Sequence, residues 1–287
     1  MAEFLSPQLL TEEGLDELIR SIGIPPRPSL LADVQQEMAG VDPDPRKIAR
    51  LVTRDVAMSA ALVKTANSVF FGLKHKAETV EQAAAFLGLT QCCSLLLGLI
   101  TRKAINVEGP LMDRFWDVST KRSLAMVRLS KALRACPPDI AHTFGLFCDI
   151  GIPLLMRRFS DYIDTLKASN EDYANPFTTA EDNRHGTNHT TIGAILARSW
   201  GLSEDVTLAI RVHHHYEVMR EPDASKTVKA LVAMCLVAER AIQLYEGLNS
   251  HVEWEKGGAM ALEVLNISEE EMIDFCDELH VMFSVDN

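Results

Sequence analysis

Helix start and stop signals recur along almost the whole chain and constrain its fold more than any other feature of the sequence. Apolar residues three and four positions apart form one-sided stripes, for example Leu15, Leu18, Ile19 and Ile22. Capping residues and prolines separate the stripes: Asp44 precedes Pro45 at one predicted helix start, and Asp55 and Thr79 are predicted to begin two others. No alternating pattern of useful length indicates a strand. The sequence therefore predicts an all-α fold.

The predicted helices fall into two lobes with an extension at each end. The segment 91–105 is apolar almost all round and predicts a buried helix. The run NVEGP at 106–110 contains glycine and proline and is the best boundary between lobes. We expect an N-terminal helix at 1–23, a first lobe at 24–106, a second lobe at 110–250 and a C-terminal helical appendage at 251–287.

The charge balance argues against nucleic acid as a partner. The chain of 287 residues carries 40 acidic and 28 basic side chains, a formal net charge of −12. Such a surface repels a phosphate backbone. The densest basic run lies at helical spacing and is interpreted as the solvent-exposed face of a helix: Lys121, Arg122, Arg128, Lys131 and Arg134.

Cysteine usage and the N-terminal sequence indicate the cytoplasm. The cysteines show no CxxC pair and no disulfide-framework spacing: Cys92, Cys93, Cys136, Cys148, Cys235 and Cys276. The apolar neighbours of Cys148 should raise its pKa and make it a poor nucleophile. The N-terminus lacks a secretory signal, and the apolar stretch 92–100 is about half of the ~20 residues that a membrane span needs. We expect a cytoplasmic protein with no membrane partner.

Side chains of the metal-ligand type are concentrated in the second half of the chain, mostly near predicted helix ends and turns. The candidates are Cys148, Asp149, His185, His189, His213, His214, His215 and Glu239. Imidazoles and carboxylates from separate helices are the ligands that hydrolytic metal centres use. The alternative is structural, because histidines at a helix C-terminus interact favourably with the last carbonyls, and Asp149 could cap a helix or form an ion pair. Spacing alone leaves both interpretations open.

Four segments, in order, resemble the HDOD family, a branch of the HD-domain superfamily found in bacterial signalling proteins. The run 24–98, from IPPRPSLLADVQQ to FLGLTQCCSLLLG, is similar to the N-terminal half of that family. FGLFCDIGIPLL is similar to its GLLHDIG segment, and HTTIGAILARSWGLSEDVTLAIRVHH to a segment ending in two histidines. LVAMCLVAERAIQ stands where the superfamily has an Ala-Asp pair. The resemblance covers about residues 21–245 and implies a two-lobed fold, with an N-terminal helical lobe and an HD-like bundle.

The departures from the family's pattern concern the metal ligands. The His-Asp pair that binds metal in active members stands here as Cys148-Asp149, and the closing aspartate stands as Glu239. The histidine expected shortly after Phe115-Trp116 is missing. The resemblance therefore implies a degenerate metal site whose vestigial candidate ligands are Cys148, Asp149, His189, His213, His214 and Glu239.

The resemblance implies two alternative functions. The first is a non-enzymatic signal-transduction output or regulatory module without a cofactor, which binds a protein partner or a nucleotide-like small ligand. The second is a metal-dependent phosphohydrolase of nucleotides or cyclic dinucleotides, with Zn, Mn or Fe in a rearranged site and Arg211 or Lys121 near the phosphate. A metal-activated water needs a full ligand shell, so we expect the first function. The segment VMREPDAS after HHHYE also lacks the GYP motif of cyclic-di-GMP phosphodiesterases.

Overall fold

Helices account for all the regular secondary structure that a computed structural model of the chain describes. The structure describes residues 19–67, 73, 75–248 and 252–284. These residues include fifteen α-helices and one 3-10 helix, with no β-strand among them. The prediction of an all-α fold is confirmed.

Five helices build one compact unit, which comprises Pro26–Asn106 and the described residues from Val281 onward. They are α1 Ser29–Met38, α2 Pro45–Val52, α3 Val56–Ala66, α4 Val80–Leu87 and α5 Leu89–Ile105. Three begin at the predicted caps, because Asp44, Asp55 and Thr79 each accept a hydrogen bond from a backbone N–H of the first turn. The predicted central helix is α5, and its buried side chains include Leu96, Ile100 and Ile105.

Ten helices build the second unit, which combines the described residues up to Pro25 with Val107–His280. They are α6 Pro110–Leu133, α7 Pro138–Phe147, α8 Gly151–Arg158, α9 Tyr162–Asn170, α10 Thr179–His185, α11 His189–Ser199, α12 Glu204–Val212, α13 Lys226–Tyr245, α14 Val252–Leu265 and α15 Glu269–Ser284. The 3-10 helix Tyr216–Arg220 lies between α12 and α13. The predicted domain limits stay predictions, since each unit combines separate stretches of the chain.

The second unit has its core around α13 and α7. Helix α6 packs against α7 and α13, α11 packs against α8 and α12, and α14 packs against α13. Phe144, Phe147 and Trp200 are among the largest fully buried side chains. This packing brings the end of α7, the start of α11 and the end of α12 together, and the candidate ligands lie at those three ends.

Among the described residues, one helical stretch is long and apolar enough to span a membrane by length and composition. Pro138–Arg158 covers 21 residues with a mean hydropathy of 1.3 in its most apolar window, and 67% of that window is buried inside the protein. This stretch is longer than 92–100, the apolar segment that the sequence brings to attention. The stretch joins α7 to α8 through the turn at 148–150, and its burial identifies it as part of the core.

Candidate functional site

Four ligand-type side chains converge in the second unit. Asp149 follows α7, His189 is the first residue of α11, and His213 and His214 follow α12. Their ligand atoms all lie within 4.8 Å of one another. The cluster is largely shielded from solvent, since the side chain of His189 is 0% exposed and that of Asp149 is 15% exposed. Hereafter these four residues are called the Asp-His cluster.

A glycine allows α8 and α11 to bring Asp149 close to His189. A β-carbon at Gly151 would lie 2.1 Å from the carbonyl oxygen of His189, so no larger residue fits there without a backbone shift. The start of α11 is fixed by Asn188, whose Oδ1 accepts from the backbone N–H of Thr191 at 2.8 Å. His189 is thereby held at a defined position facing Asp149.

Each histidine of the cluster has an acceptor on its Nδ1 side. Nδ1 of His189 lies 2.7 Å from Glu181 Oε2, and Nδ1 of His214 lies 2.8 Å from Glu253 Oε2. Nδ1 of His213 lies 2.8 Å from the carbonyl oxygen of Ile210. Carboxylates and carbonyls only accept, so Nδ1 of each ring carries the proton and donates it. In the neutral rings the Nε2 lone pairs are therefore free to bind an ion.

The two outer carboxylates are themselves held by tyrosines. Tyr162 donates its hydroxyl to Glu181, and Tyr216 donates to Glu253 at 2.5 Å. Burial would raise the pKa of Glu253, but hydrogen bonds from His214, Tyr216 and Lys256 lower it to about 2. Burial likewise opposes ionisation of Glu181, yet the neighbouring His189 lowers the pKa of this carboxyl. Both carboxylates are ionised acceptors, which is the outer shell that orients histidine ligands at metal sites.

The spacing of three inner atoms fits one metal ion. Oδ1 of Asp149 lies 3.3 Å from Nε2 of His213 and 3.5 Å from Nε2 of His189. The two Nε2 atoms are 3.5 Å apart. An ion bound tetrahedrally by nitrogen and oxygen at about 2.0–2.1 Å has ligands roughly 3.3–3.4 Å from each other. Asp149, His189 and His213 thus have the geometry of three ligands of one ion, with His214 beside them.

Arg122 of α6 extends its guanidinium into the same site from the other side. Its Nη2 lies 2.5 Å from Asp149 Oδ2, and its Nη1 lies 2.8 Å from Cys148 Sγ. Its Nε lies 2.7 Å from Glu239 Oε1, an ion pair in which the N–H is not aligned for a hydrogen bond. The Arg122 side chain is 3% exposed. A buried cation therefore joins the three positions 148, 149 and 239.

The electrostatics of the site follow from this arrangement. Burial would raise the pKa of Asp149, but the Arg122 charge overrides it and holds the pKa well below its usual range. Burial, together with a contact to Cys235, raises the pKa of the Cys148 thiol, as the sequence predicts. Burial would also lower the pKa of His189, whereas the Glu181 and Asp149 carboxylates raise it.

The structure separates the predicted ligands into two groups. Asp149, His189, His213 and His214 form the cluster, while Cys148 and Glu239 contact Arg122. His185 lies apart, since its ring stacks on that of Phe159 with the ring centroids 4.4 Å apart, and its Nε2 forms a hydrogen bond with the Thr165 hydroxyl. Of the two predicted phosphate contacts, Lys121 pairs with Asp117 and Arg211 donates to Thr191. A metal role for any of these residues stays a prediction.

The assignment of Arg122 to an exposed helix face is wrong. Arg122 is buried, whereas Arg128 on the same helix has a side chain that is 39% exposed. A signal was present in the sequence, because Arg122 stands at helical spacing from Ser119, Met126 and Leu129, which are all buried. The outer residues missed by sequence reasoning are Tyr162, Glu181, Tyr216 and Glu253.

Comparison with known proteins identifies the family. The HDOD domain matches residues 24–216, about two thirds of the chain. The chain belongs to the HDOD domain family. A curated relative, an uncharacterized protein of Treponema pallidum, is 24% identical over 226 residues. That match covers 78% of this chain but only 43% of the relative, so the chain spans less than half of the relative's length.

Solved structures of this HDOD protein's fold include candidate enzymes and signalling proteins. A candidate phosphohydrolase from Shewanella amazonensis superposes with a TM-score of 0.70 at 19% identity, covering 94% of this chain and 97% of that one. An HDOD domain protein of unknown function from Geobacter sulfurreducens has a TM-score of 0.68 at 19% identity, covering 94% and 96%. A candidate signal transduction protein from Marinobacter aquaeolei has a TM-score of 0.62 at 17% identity, covering 93% and 61%. At these identities the similarity establishes the fold alone.

Proposed function

We propose that this HDOD protein is a regulatory module that acts by binding rather than by hydrolysis. The observation that carries the proposal is the buried Arg122 guanidinium, which is paired with the carboxylates of Asp149 and Glu239. These are two of the positions at which the resemblance to HD hydrolases places metal ligands. A carboxylate already bound to a guanidinium is a weaker ligand, and the positive charge repels a nearby divalent ion.

Regulation by contact is consistent with the remaining properties of the chain. Its net charge of −12 favours a protein partner with a basic contact surface over nucleic acid. The fold is also shared with a candidate signal transduction protein. We therefore infer a partner protein in a signalling pathway. A nucleotide-like ligand is the second kind of partner that the family resemblance implies.

Hydrolysis is the second candidate function, because the Asp-His cluster favours it specifically. Asp149, His189 and His213, with His214 beside them, would hold one divalent ion through the atoms described above. Such an ion, when bound, lowers the pKa of a bound water and polarises a phosphoryl oxygen. Glu181 and Glu253 would hold the imidazoles of His189 and His214 in the ligand tautomer. Candidate phosphohydrolases with the same fold also support this function.

A hydrolysis screen separates the two functions. The full chain, purified without a histidine tag, is incubated with Zn²⁺, Mn²⁺ or Fe²⁺ and assayed against phosphate monoesters, diesters, nucleotides and cyclic dinucleotides. Asp149→Asn serves as the matched control, since it removes a charge from the cluster without changing volume. We expect no metal-dependent turnover above the control. Turnover by the parent protein that disappears in Asp149→Asn would establish the hydrolase instead.

A further inference from the structure

The site is divided into two halves that differ in their capacity for a metal ion. One half, the Asp-His cluster, has inner atoms 3.3–3.5 Å apart, which fits an ion. The other half consists of Cys148, Oδ2 of Asp149 and Glu239, and Arg122 contacts all three. Asp149 belongs to both halves, with Oδ1 facing the histidines and Oδ2 facing the guanidinium.

We propose that Arg122 is a built-in cation that takes the place of a metal ion in the second half of the site. Its guanidinium supplies a positive charge to Asp149 and Glu239, which would otherwise be two carboxylates facing each other across the site. The inference rests on the proposed function, because an arginine in place of a metal ion suits a site that binds rather than hydrolyses. This half is consequently assembled without any supply of metal.

The surroundings show that the arginine side chain is fitted to this position. Arg122 lies on the face of α6 that packs toward α7 and α13, where its neighbours Ser119, Ser123 and Met126 are buried. Cys148 and Asp149 come from the end of α7, and Glu239 comes from α13. One guanidinium therefore connects three helices, as a metal ion with ligands from three helices would. A neutral side chain in its place would leave Glu239 and Oδ2 of Asp149 without their cation.

Removing the guanidinium should convert this half of the site into one that binds an ion. In Arg122→Ala the vacated volume lies beside two carboxylates and a thiol, which are ligand types for Zn²⁺ and Mn²⁺. We expect this variant to bind one divalent ion more per chain than the parent protein, measured by elemental analysis and by calorimetric titration with Zn²⁺ and Mn²⁺. We also expect its melting temperature to fall by about 10 °C without metal and to recover when the ion is added.

Two control variants show whether a change in the number of bound ions is due to the loss of the Arg122 guanidinium. Arg122→Met removes the charge but fills most of the volume, so it should be destabilised without gaining an ion. Arg128→Ala removes an arginine of the same helix that pairs with Glu278 at 2.6 Å on the surface, so its ion count should equal that of the parent protein. An Arg122→Ala variant with the parent's ion count and no recovery of its melting temperature would overturn the proposal.

The test remains decisive if Arg122→Ala does not fold. It is then refolded with and without Mn²⁺ or Zn²⁺, and folding that requires the ion supports the proposal. If the ion has no effect, Arg122→Met is combined with Asp149→Asn and Glu239→Gln, which neutralises both carboxylates that Arg122 contacts. Folding of this triple variant supports a charge-neutralising role for Arg122. Failure of the triple variant to fold overturns the proposal. Ion counting is independent of turnover, so a positive hydrolysis screen would refute the proposed function while leaving this inference to its own result.

Discussion

At the scale of single residues, the outer carboxylates determine how well the histidines of the cluster can bind an ion. Glu181 accepts from Nδ1 of His189 and has no exposed surface. Glu181→Gln keeps a neutral acceptor but removes the charge that makes the imidazole a better ligand. We expect the affinity for Zn²⁺ to fall about 10- to 100-fold, measured by competition with a chromogenic chelator. Glu171→Gln, at an exposed position, is the control and should bind as the parent protein does.

Should the parent protein bind no ion at all, the same variant still reports on the histidine. The pKa of His189 is raised by Glu181 against the effect of burial. A histidine with a raised pKa contributes stability that is present below its unfolded pKa of about 6.5 and lost as pH rises through the folded value. Glu181→Gln should therefore lose more stability below pH 6.5 than above it. An equal loss at every pH would contradict the assigned ion pair.

The lowered pKa of Glu253 predicts a measurable pH dependence of the free energy of unfolding. Hydrogen bonds from His214, Tyr216 and Lys256 lower its pKa from 4.5 to about 2 despite burial. A carboxyl with a lowered pKa stabilises the fold above its unfolded pKa and loses that contribution as pH falls from 4.5 toward 2. Glu253→Gln should thus be less stable than the parent protein above pH 5 by at most about 3 kcal/mol, and the difference should shrink toward pH 2.

Urea unfolding at several pH values measures this difference. Glu255→Gln, at an exposed position of the same helix, is the matched control and should follow the parent protein at every pH. His214 acts in the same direction, because burial lowers its pKa to about 4 and its neutral form donates to Glu253. A stability difference that persists unchanged at pH 2 would show that Glu253 contributes by packing rather than by charge.

At the scale of helices, the contact between α8 and α11 positions the site. Gly151→Ala places a β-carbon against the backbone of His189, which cannot yield as a flexible side chain can. We expect a loss of about 3 kcal/mol in the free energy of unfolding, together with weaker ion binding. Gly193→Ala is the control, since its β-carbon would meet a side-chain methyl of Ile210 at 3.1 Å. It should cost less than about 1.5 kcal/mol and leave ion binding intact. Equal losses in both variants would contradict the role given to Gly151.

Helix starts could be predicted from the sequence, whereas contacts between helices could not. Asp44, Asp55 and Thr79 cap the helices that they were expected to cap, because a cap acts on residues two or three positions away. Glu253 bonds a histidine 39 residues earlier in the chain, and no local pattern indicates such a pair. Glu253 lies in the predicted C-terminal appendage, where α14 packs against α13 and supplies this acceptor.

The candidate site could be predicted only in part, because local patterns show ligand-type residues but not the contacts between helices. Asp149, His189, His213 and His214 stand at helix ends, where ligand-type residues are recognisable and the family resemblance aligns them. Local charge density groups Arg122 with its basic neighbours, although the periodicity of α6 places it on the buried face. One residue of helical rotation, about 100°, separates the buried Arg122 from Lys121. Spacing against the apolar stripe, rather than local charge density, is what distinguishes the two side chains.

At the scale of the whole molecule, the six cysteines report on both compact units. All six are free, with Cys92 and Cys93 in one unit and the other four in the second. Burial raises the pKa of Cys92 to about 11 and of Cys93 to about 12, and it raises the pKa of Cys136 and Cys276 to about 11. The thiolate is the reactive form, so these thiols should react slowly in the folded protein at pH 8.

Labelling with a chromogenic disulfide reagent tests this expectation. We expect the four buried cysteines, Cys92, Cys148, Cys235 and Cys276, to label slowly in the native protein, because exposure of each of these thiols requires the local fold to open. In denaturant all six thiols should label at once. Arg122→Lys provides a comparison at one position, since loss of the planar guanidinium leaves the Cys148 thiol beside a less closely fitted cation. Only the labelling of Cys148 should become faster in that variant. If one of the four buried thiols reacts rapidly in the native parent protein, this would contradict its burial, and its identity by mass spectrometry would show which of the two units opens.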